Sequence, residues 1–305
     1  MTKPWDADAL WLKAKLFINH ALDDDVDRTD EERALWASLA LELLAKSALS
    51  RASPLLIAAP TEEGQNLLAA SGLVRGDATF KSILAKTLFS RCARAFRPFN
   101  AQEATRIADN RNEYLHAATP LFSPIPLDAW WPRYWAQTQV LVNACDRSLE
   151  DFVGSKRVAS VETALEQNTR NIHQRLDMLI ERARQRLARF EQAEMSTREL
   201  EDWTRPHLLV AGHQYWEAAE CPACSWSDGL IEGDEVSESE VRTEQVSESD
   251  FDVWLEIEVG VDHFSCENCR LVLDSYDLID AAGLPTKIEA IGDASDLWEP
   301  DYGND

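Results

Sequence analysis

No apolar stretch of this 305-residue sequence reaches membrane-spanning length before a charge interrupts it; even ALWASLALELLA carries a glutamate. A helix needs about 20 predominantly apolar residues to cross a bilayer, so no transmembrane segment is expected. The first residues, MTKPWDADALWLKAKL, hold acids and lack the continuous apolar core of a secretory signal, and the expected compartment is the cytoplasm. Basic residues are nearly missing from the last hundred positions, where Arg242, Arg270 and Lys287 stand against 25 acids. Of the net charge of −24, residues 206–305 carry −22 and the first 205 residues only −2. So uneven a split predicts two units of different character. The acidic one has too few cations to bind nucleic acid by counterion release. It suits repelling RNA, covering a basic site, mimicking a nucleic acid, or docking on a basic protein.

What is present in the first half is helical periodicity. Residues 5–23 place Leu10, Trp11, Ala14, Phe17, Ile18 and Ala21 on one side of a predicted helix. Thr29 and Glu32 have the spacing of a capping box, and the helix they open runs to about Ala52. Leu35, Trp36, Leu39, Ala40, Leu43 and Leu44 give it a wide apolar stripe, which predicts a central place in the core. Within it Glu42 and Lys46 form an i,i+4 pair, either an ion pair at the core edge or a polar group facing a site. A short helix is expected from Thr61 to Gly72 and another from Thr79 to Phe96. Lys81, Lys86, Arg91, Arg94 and Arg97 read as a solvated face of the latter, the alternative being a strip that touches phosphate. After a proline-rich loop, residues 127–152 predict a helix whose Trp130, Trp131, Tyr134 and Trp135 serve the core or a dimer interface, the alternative being a surface on which RNA bases stack. Residues 155–202 repeat apolar positions at near-heptad spacing, as in a long amphipathic connector or dimerisation arm.

The most informative helical run is Arg106–His116, RIADNRNEYLH, with Asn100 placed to cap it. At about 100° per residue, Asn112 and His116 share a face, whereas Arg111 and His116 lie about 140° apart. Arg111 and His116 converge only through the length of arginine or through a second copy of the helix in a two-fold dimer. These side chains suit RNA cleavage without a metal. Histidine moves protons near neutral pH, arginine carries a fixed charge and a donor fork matched to phosphate, and asparagine orients either one.

Arg111-Asn112-Glu113-Tyr114-Leu115-His116, set late in an all-helical region with the Glu42 helix upstream, resembles the Arg-Asn-x-x-x-His form of the HEPN family, over roughly residues 5–152. The resemblance implies a helical bundle and, as in many members, a homodimeric, metal-independent endoribonuclease. Attack of a ribose 2′-hydroxyl on the adjacent phosphate would leave a 2′,3′-cyclic phosphate. It gives His116 the acid–base role, Arg111 the transition-state charge and Asn112 the orienting role. It also implies RNA, including tRNA, as substrate, and a toxin or antiphage effector as the setting.

Six cysteines divide cleanly. Cys92 and Cys145 stand alone in helices and read as buried apolar residues. Cys221-Pro222-Ala223-Cys224 and Cys266-Glu267-Asn268-Cys269 are two C-x2-C knuckles, a set of four thiolates that closes tetrahedrally on Zn²⁺ in a structural site. Strands are expected at 213–217, 253–259 and 262–264, the second from its strict alternation. Together they resemble a zinc ribbon, with a long acidic, serine-rich spacer that is either an exposed hairpin or a flexible insertion. His207, His213 and His263 stand nearby as spare ligands. The expected architecture is mainly α. A HEPN-like helical domain spans 1–153, a long connecting helix 154–205, a small acidic β zinc ribbon-like domain 206–283, and an acidic tail 284–305. The alternative function is a dimeric zinc-binding scaffold that recognises a basic protein.

Overall fold

A computed structural model describes residues 3–24, 26–75, 79–205, 209–247 and 250–292. The chain divides into two compact units, Met1–Thr169 and Arg170–Asp305. It is mainly α-helical, and among the described residues strands are confined to the second unit apart from one isolated bridge. No helix among the described residues is long and apolar enough to cross a membrane.

The first unit is built on α1 (Ala7–Ala21) and α2 (Asp30–Ala52). Asp6 caps α1 by accepting from the Ala9 N–H at 2.8 Å, and Thr29 caps α2 by accepting from Glu32 at 3.2 Å. The Glu32 carboxylate faces Arg28 at 3.8 Å. Helix α2 is central, but its most deeply buried face is Ala34, Ala37, Leu41, Leu44, Ala45 and Ala48. Leu35, Trp36 and Leu43, expected in the main stripe, are only half-buried at its edge. Alanines let neighbouring backbones come close, so the small-residue face goes innermost.

Three predicted helices are shorter or broken. The helix expected from Thr61 starts only at Gln65, because Gly64 sits in the left-handed region at φ 62° and breaks the chain direction; α3 is Gln65–Ala70. The helix expected from Thr79 is α4, Ala85–Ala95. The residues before it lie extended against the segment after α2, with Ala59 N–H donating to Lys81 and Ile83 N–H donating to Ile57. Helix α5 (Ala101–His116) carries the motif, and the Asn100 side chain accepts from Glu103 N–H at 2.9 Å as expected. Helix α6 (Leu127–Ala144) ends where Asp146 turns left-handed at φ 52°, and α7 (Leu149–Val153) follows. Trp130, Tyr134 and Trp135 are buried in the core, and Trp131 is half-buried.

Residues 155–202 form two helices, α8 (Ser155–Glu191) and α9 (Thr197–Thr204). Ala193 at φ 54° breaks the helical run, and Ser196 opens α9 through a capping box with Glu199. The apolar stripe of α8 is shared. Val158 and Val161 serve the first core, Leu176 and Ala183 the second, and the boundary between the units falls within the helix.

The second unit holds two antiparallel sheets. One joins β1 (Tyr215–Ala219), β2 (Gly229–Gly233), β5 (His263–Ser265) and β6 (Val272–Leu273) in that order. The other runs β3 (Glu235–Ser247), β4 (Asp250–Gly260), β7 (Lys287–Gly292). The acidic spacer is therefore a long hairpin, β3 against β4. Ile257 and Val259 of β4 join Ile231, Phe264, Leu278 of α10 (Tyr276–Ala281) and Ile288 in the core, Leu255 packs against its edge, and Val253 is exposed. Of the predicted tail, residues 287–292 form β7, and 293–305 lie outside the described residues.

Candidate functional site

Arg111 leaves α5 on the side that faces α2. It is 9% exposed, and its guanidinium donates to Glu42 Oε2 at 2.5 Å. The other Glu42 oxygen accepts from Lys46 Nζ at 2.8 Å. Burial alone would raise the Glu42 carboxyl, but the charge and hydrogen bond of Lys46, and then those of Arg111, hold it below its ordinary 4.5. The remaining edge of the guanidinium reaches Asn112, with Nε and Nη2 at 3.3 and 3.1 Å from Oδ1. Ser38 ties the same two helices together through the Ile107 carbonyl at 3.4 Å.

His116 ends α5 and is exposed, as is Asn112. Among the described residues it has no hydrogen bond, ion pair or ring contact, so nothing links it to Arg111 within one chain. The angular separation of the two positions accounts for this. Arg111 is drawn towards α2 by Glu42, and a side chain about 140° around the helix points elsewhere. Leu115, the residue before His116, and Leu121, in the loop after α5, are exposed at 51% and 61%. Of the basic run on and before α4, Arg91 turns inward to the Leu56 carbonyl at 2.5 Å, while Lys86 and Arg94 are exposed.

The four paired cysteines of the second unit come together. Cys221 and Cys224 follow β1, Cys266 and Cys269 follow β5, and all four sulfurs lie within 4.8 Å of one another. The Cys221–Cys269 and Cys224–Cys266 sulfurs are 3.6 and 3.7 Å apart. A disulfide would need about 2.05 Å. A tetrahedron of thiolates with metal–sulfur bonds of about 2.3 Å has edges of about 3.8 Å. The cluster can hold a metal ion, and its geometry is compatible with zinc. The Ala223 amide and the Asn268 side chain donate to the sulfurs of Cys221 and Cys224 at 3.4 and 3.5 Å, stabilising negative sulfur. Hydrogen bonds from Cys266 and Cys269 pull the Cys221 thiol down to about 4, and the bond to Cys221 pushes Cys269 up.

The two knuckles share one backbone design. Cys221 N–H donates to Trp226 and Cys266 N–H to Leu271, each at 2.9 Å, and the residue after each second cysteine, Ser225 or Arg270, is left-handed. Both are clasped from the helical side of the unit. Arg184 of α8 donates to the Ala223 and Pro222 carbonyls at 2.9 and 3.1 Å, and Arg270 donates to the Trp203 carbonyl of α9 at 3.1 Å. Arg184 thus braces the first knuckle, a role that helical periodicity does not signal.

The expected spare histidines are committed elsewhere. His213 bridges Asp234 (2.6 Å) and Asp262 (3.2 Å), and His263 Nε2 lies 2.9 Å from the Leu209 carbonyl; His207 lies outside the described residues. Glu232 was missed altogether. It is 2% exposed on β2, and its carboxylate accepts from the backbone N–H groups of Ala211, Gly212 and His213 at 2.9, 2.9 and 3.3 Å. Glu232→Ala should cost about 1–3 kcal/mol, the scale for one polar group left unpaired, because Ala211 and Gly212 are exposed and water can reach part of the vacated site. Denaturant unfolding checks this, and a loss under about 0.5 kcal/mol would mean that water replaces the carboxylate.

The chain matches no family model, no curated protein and no solved structure. The functional reading rests on these residues and their geometry.

Proposed function

We propose that this chain is a metal-independent endoribonuclease of the HEPN type, acting as a homodimer on RNA, tRNA included, in a toxin or antiphage-defence role. The observation that carries the reading is the built surround of the motif. Glu42 fixes Arg111, Asn112 lies against the guanidinium, and His116 stands one turn beyond Asn112 with both ring nitrogens uncommitted. A two-fold pairing of copies through α5, over exposed Leu115 and Leu121, would bring His116 of one copy towards Arg111 of the other. His116 would take the 2′-hydroxyl proton or return one to the leaving 5′-oxygen, and Arg111 would neutralise the charge gathering on phosphorus. The cysteine cluster would hold structural Zn²⁺: four thiolates leave no open position for chemistry.

Incubating total tRNA with the protein in EDTA and sequencing the product ends tests the reading, with zinc retention measured alongside. The wild type should leave 2′,3′-cyclic phosphate ends. His116→Ala should be slower by about 10²–10⁴-fold, the usual contribution of a positioned acid–base group, with stability unchanged to about 0.5 kcal/mol because the side chain is exposed and unpartnered. Equal cleavage by both proteins would remove the chemistry from the motif.

A second reading has its own support: a dimeric zinc-bearing scaffold that recognises a basic protein. Arg111 is committed to an ion pair within the fold, as a structural arginine would be. The second sheet places Glu240 opposite Glu256 and Glu258 opposite Glu289. Like charges directly across a sheet are unfavourable, and Arg242 and Lys287 are the cations that neutralise this face. A basic partner would relieve the rest. Function that survives His116→Ala but not Cys224→Ser would favour this reading.

A further inference from the structure

Away from the motif, the first unit contains a cavity of about 470 Å³ between the start of α2, the middle of α6 and the first turns of α8. None of Arg111, Asn112 and His116 lines it. Arg33, Lys156 and Arg157 bring three positive charges to its wall, and among the described residues Asp24 is the one carboxylate that lines it. Trp131 and Trp135 add two indoles stacked at 6.0 Å with 23° between their planes. Val161 and Ala164 supply apolar surface beside them.

These cations are not consumed by their own fold. Arg33 uses Nη1 on the Ala21 carbonyl (3.1 Å) and Asp24 (3.3 Å), and Arg157 uses Nη1 on Asn19 (2.7 Å). Each guanidinium has five N–H donors, so both keep several. Lys156 has no hydrogen bond or ion pair among the described residues. It also lies in the first turn of the 37-residue α8, where free amides and the helix dipole favour an anion. Three cations, one acid and an aromatic wall ask for a ligand that is anionic at one end and flat and apolar at the other. The volume is that of a small-molecule pocket, about 300–1,000 Å³.

We propose that this cavity binds a nucleoside phosphate, the base against Trp131 and the phosphate between Lys156, Arg157 and Arg33. An aromatic face accepts any base without reading its edge, while guanidinium forks match phosphate oxygens. Bare phosphate would leave the indole wall unused, and a bare nucleoside would leave the cations unneutralised. The site does not depend on the ribonuclease reading.

Calorimetric titration of the full-length protein with adenosine 5′-monophosphate, adenosine and inorganic phosphate tests the assignment. The nucleotide should bind at least about ten-fold more tightly than either fragment, and it should raise the melting temperature, as any ligand of the native state does. Lys156→Gln should weaken the nucleotide by about ten-fold, the effect of losing one charge-assisted contact. Its exposed side chain makes this variant safe for the fold. Trp131→Phe should weaken the nucleotide but leave phosphate unchanged. No nucleotide binding at millimolar concentration, phosphate binding as tight as the nucleotide, or an unaltered Lys156→Gln would each overturn the proposal.

Discussion

If the cysteine cluster holds structural zinc as proposed, Cys266→Ser protein should contain no stoichiometric metal and should lose the cooperative unfolding transition of residues 170–305, while the transition of the helical unit remains. The small sheet that carries the cysteines has strands of five, five, three and two residues, of which the last two lie at or below the short end of the usual range. Cys221, Cys266 and Cys269 are themselves part of the core, at 1% exposure or less, beside Phe264 and Leu273. A structural zinc contributes about 10–16 kcal/mol in small zinc-folded peptides. Whole domains are stable by only about 5–15 kcal/mol, so metal loss exceeds what the remaining contacts of this unit can supply. The first unit has its own core of Leu41, Leu44, Phe89, Trp130 and Tyr134 and should melt much as before. Metal analysis with scanning calorimetry and limited proteolysis of the full chain reads all three expectations. A variant without metal that still shows both transitions would mean that the ion is incidental to the fold.

The parts of this molecule legible in its sequence are those fixed by local chemistry. Two C-x2-C pairs announce their own convergence, because a tight turn presents both sulfurs of each pair on one side. The alternation Val253, Leu255, Ile257, Val259 gives β4, and Asn100 gives the start of α5. What was hidden depends on residues distant in sequence. Lys81 reads as helical until the segment ahead of it offers Ala59 and Asn66 as partners, which hold it extended. The repeat from Val158 to Leu187 reads as one arm, but where that arm passes from one core to the other has no signature in its spacing. Glu232 sits in a strand that looks half-polar, and only the folded loop at 211–213 shows that its carboxylate organises three amides. At the motif, i,i+4 logic correctly groups Asn112 with His116. The direction of Arg111 was left open by the sequence, and Glu42 on another helix decides it.

Changing Glu42 and Arg111 together should separate what the pair does for the fold from what it does for activity. Their side chains are 20% and 11% exposed, so each charge is largely removed from water. Arg111→Ala leaves the Glu42 carboxylate to Lys46 alone, and breaking a buried pair from one side costs about 3–5 kcal/mol. Since Lys46 stays at 2.8 Å, about 2–3 kcal/mol is expected here. Glu42→Leu with Arg111→Met removes both charges and keeps apolar volume, and such replacements are often neutral or better, so most of the loss should be recovered. If the pair positions Arg111 for phosphate, the double variant folds and does not cut RNA; if it is a structural clasp, the double variant keeps full function. The pH dependence gives an independent check. Glu42 ionises below its ordinary 4.5 in the folded chain, so the native state holds fewer protons than the unfolded one through that range. Its contribution is therefore complete above about pH 4.5 and drains away as pH falls through the lower folded value. The wild type should lose stability over this acid window faster than Glu42→Gln, whose curve should be flatter. Parallel curves would mean that the carboxylate is not held ionised by Lys46 and Arg111, and the clasp would have to be abandoned for both readings.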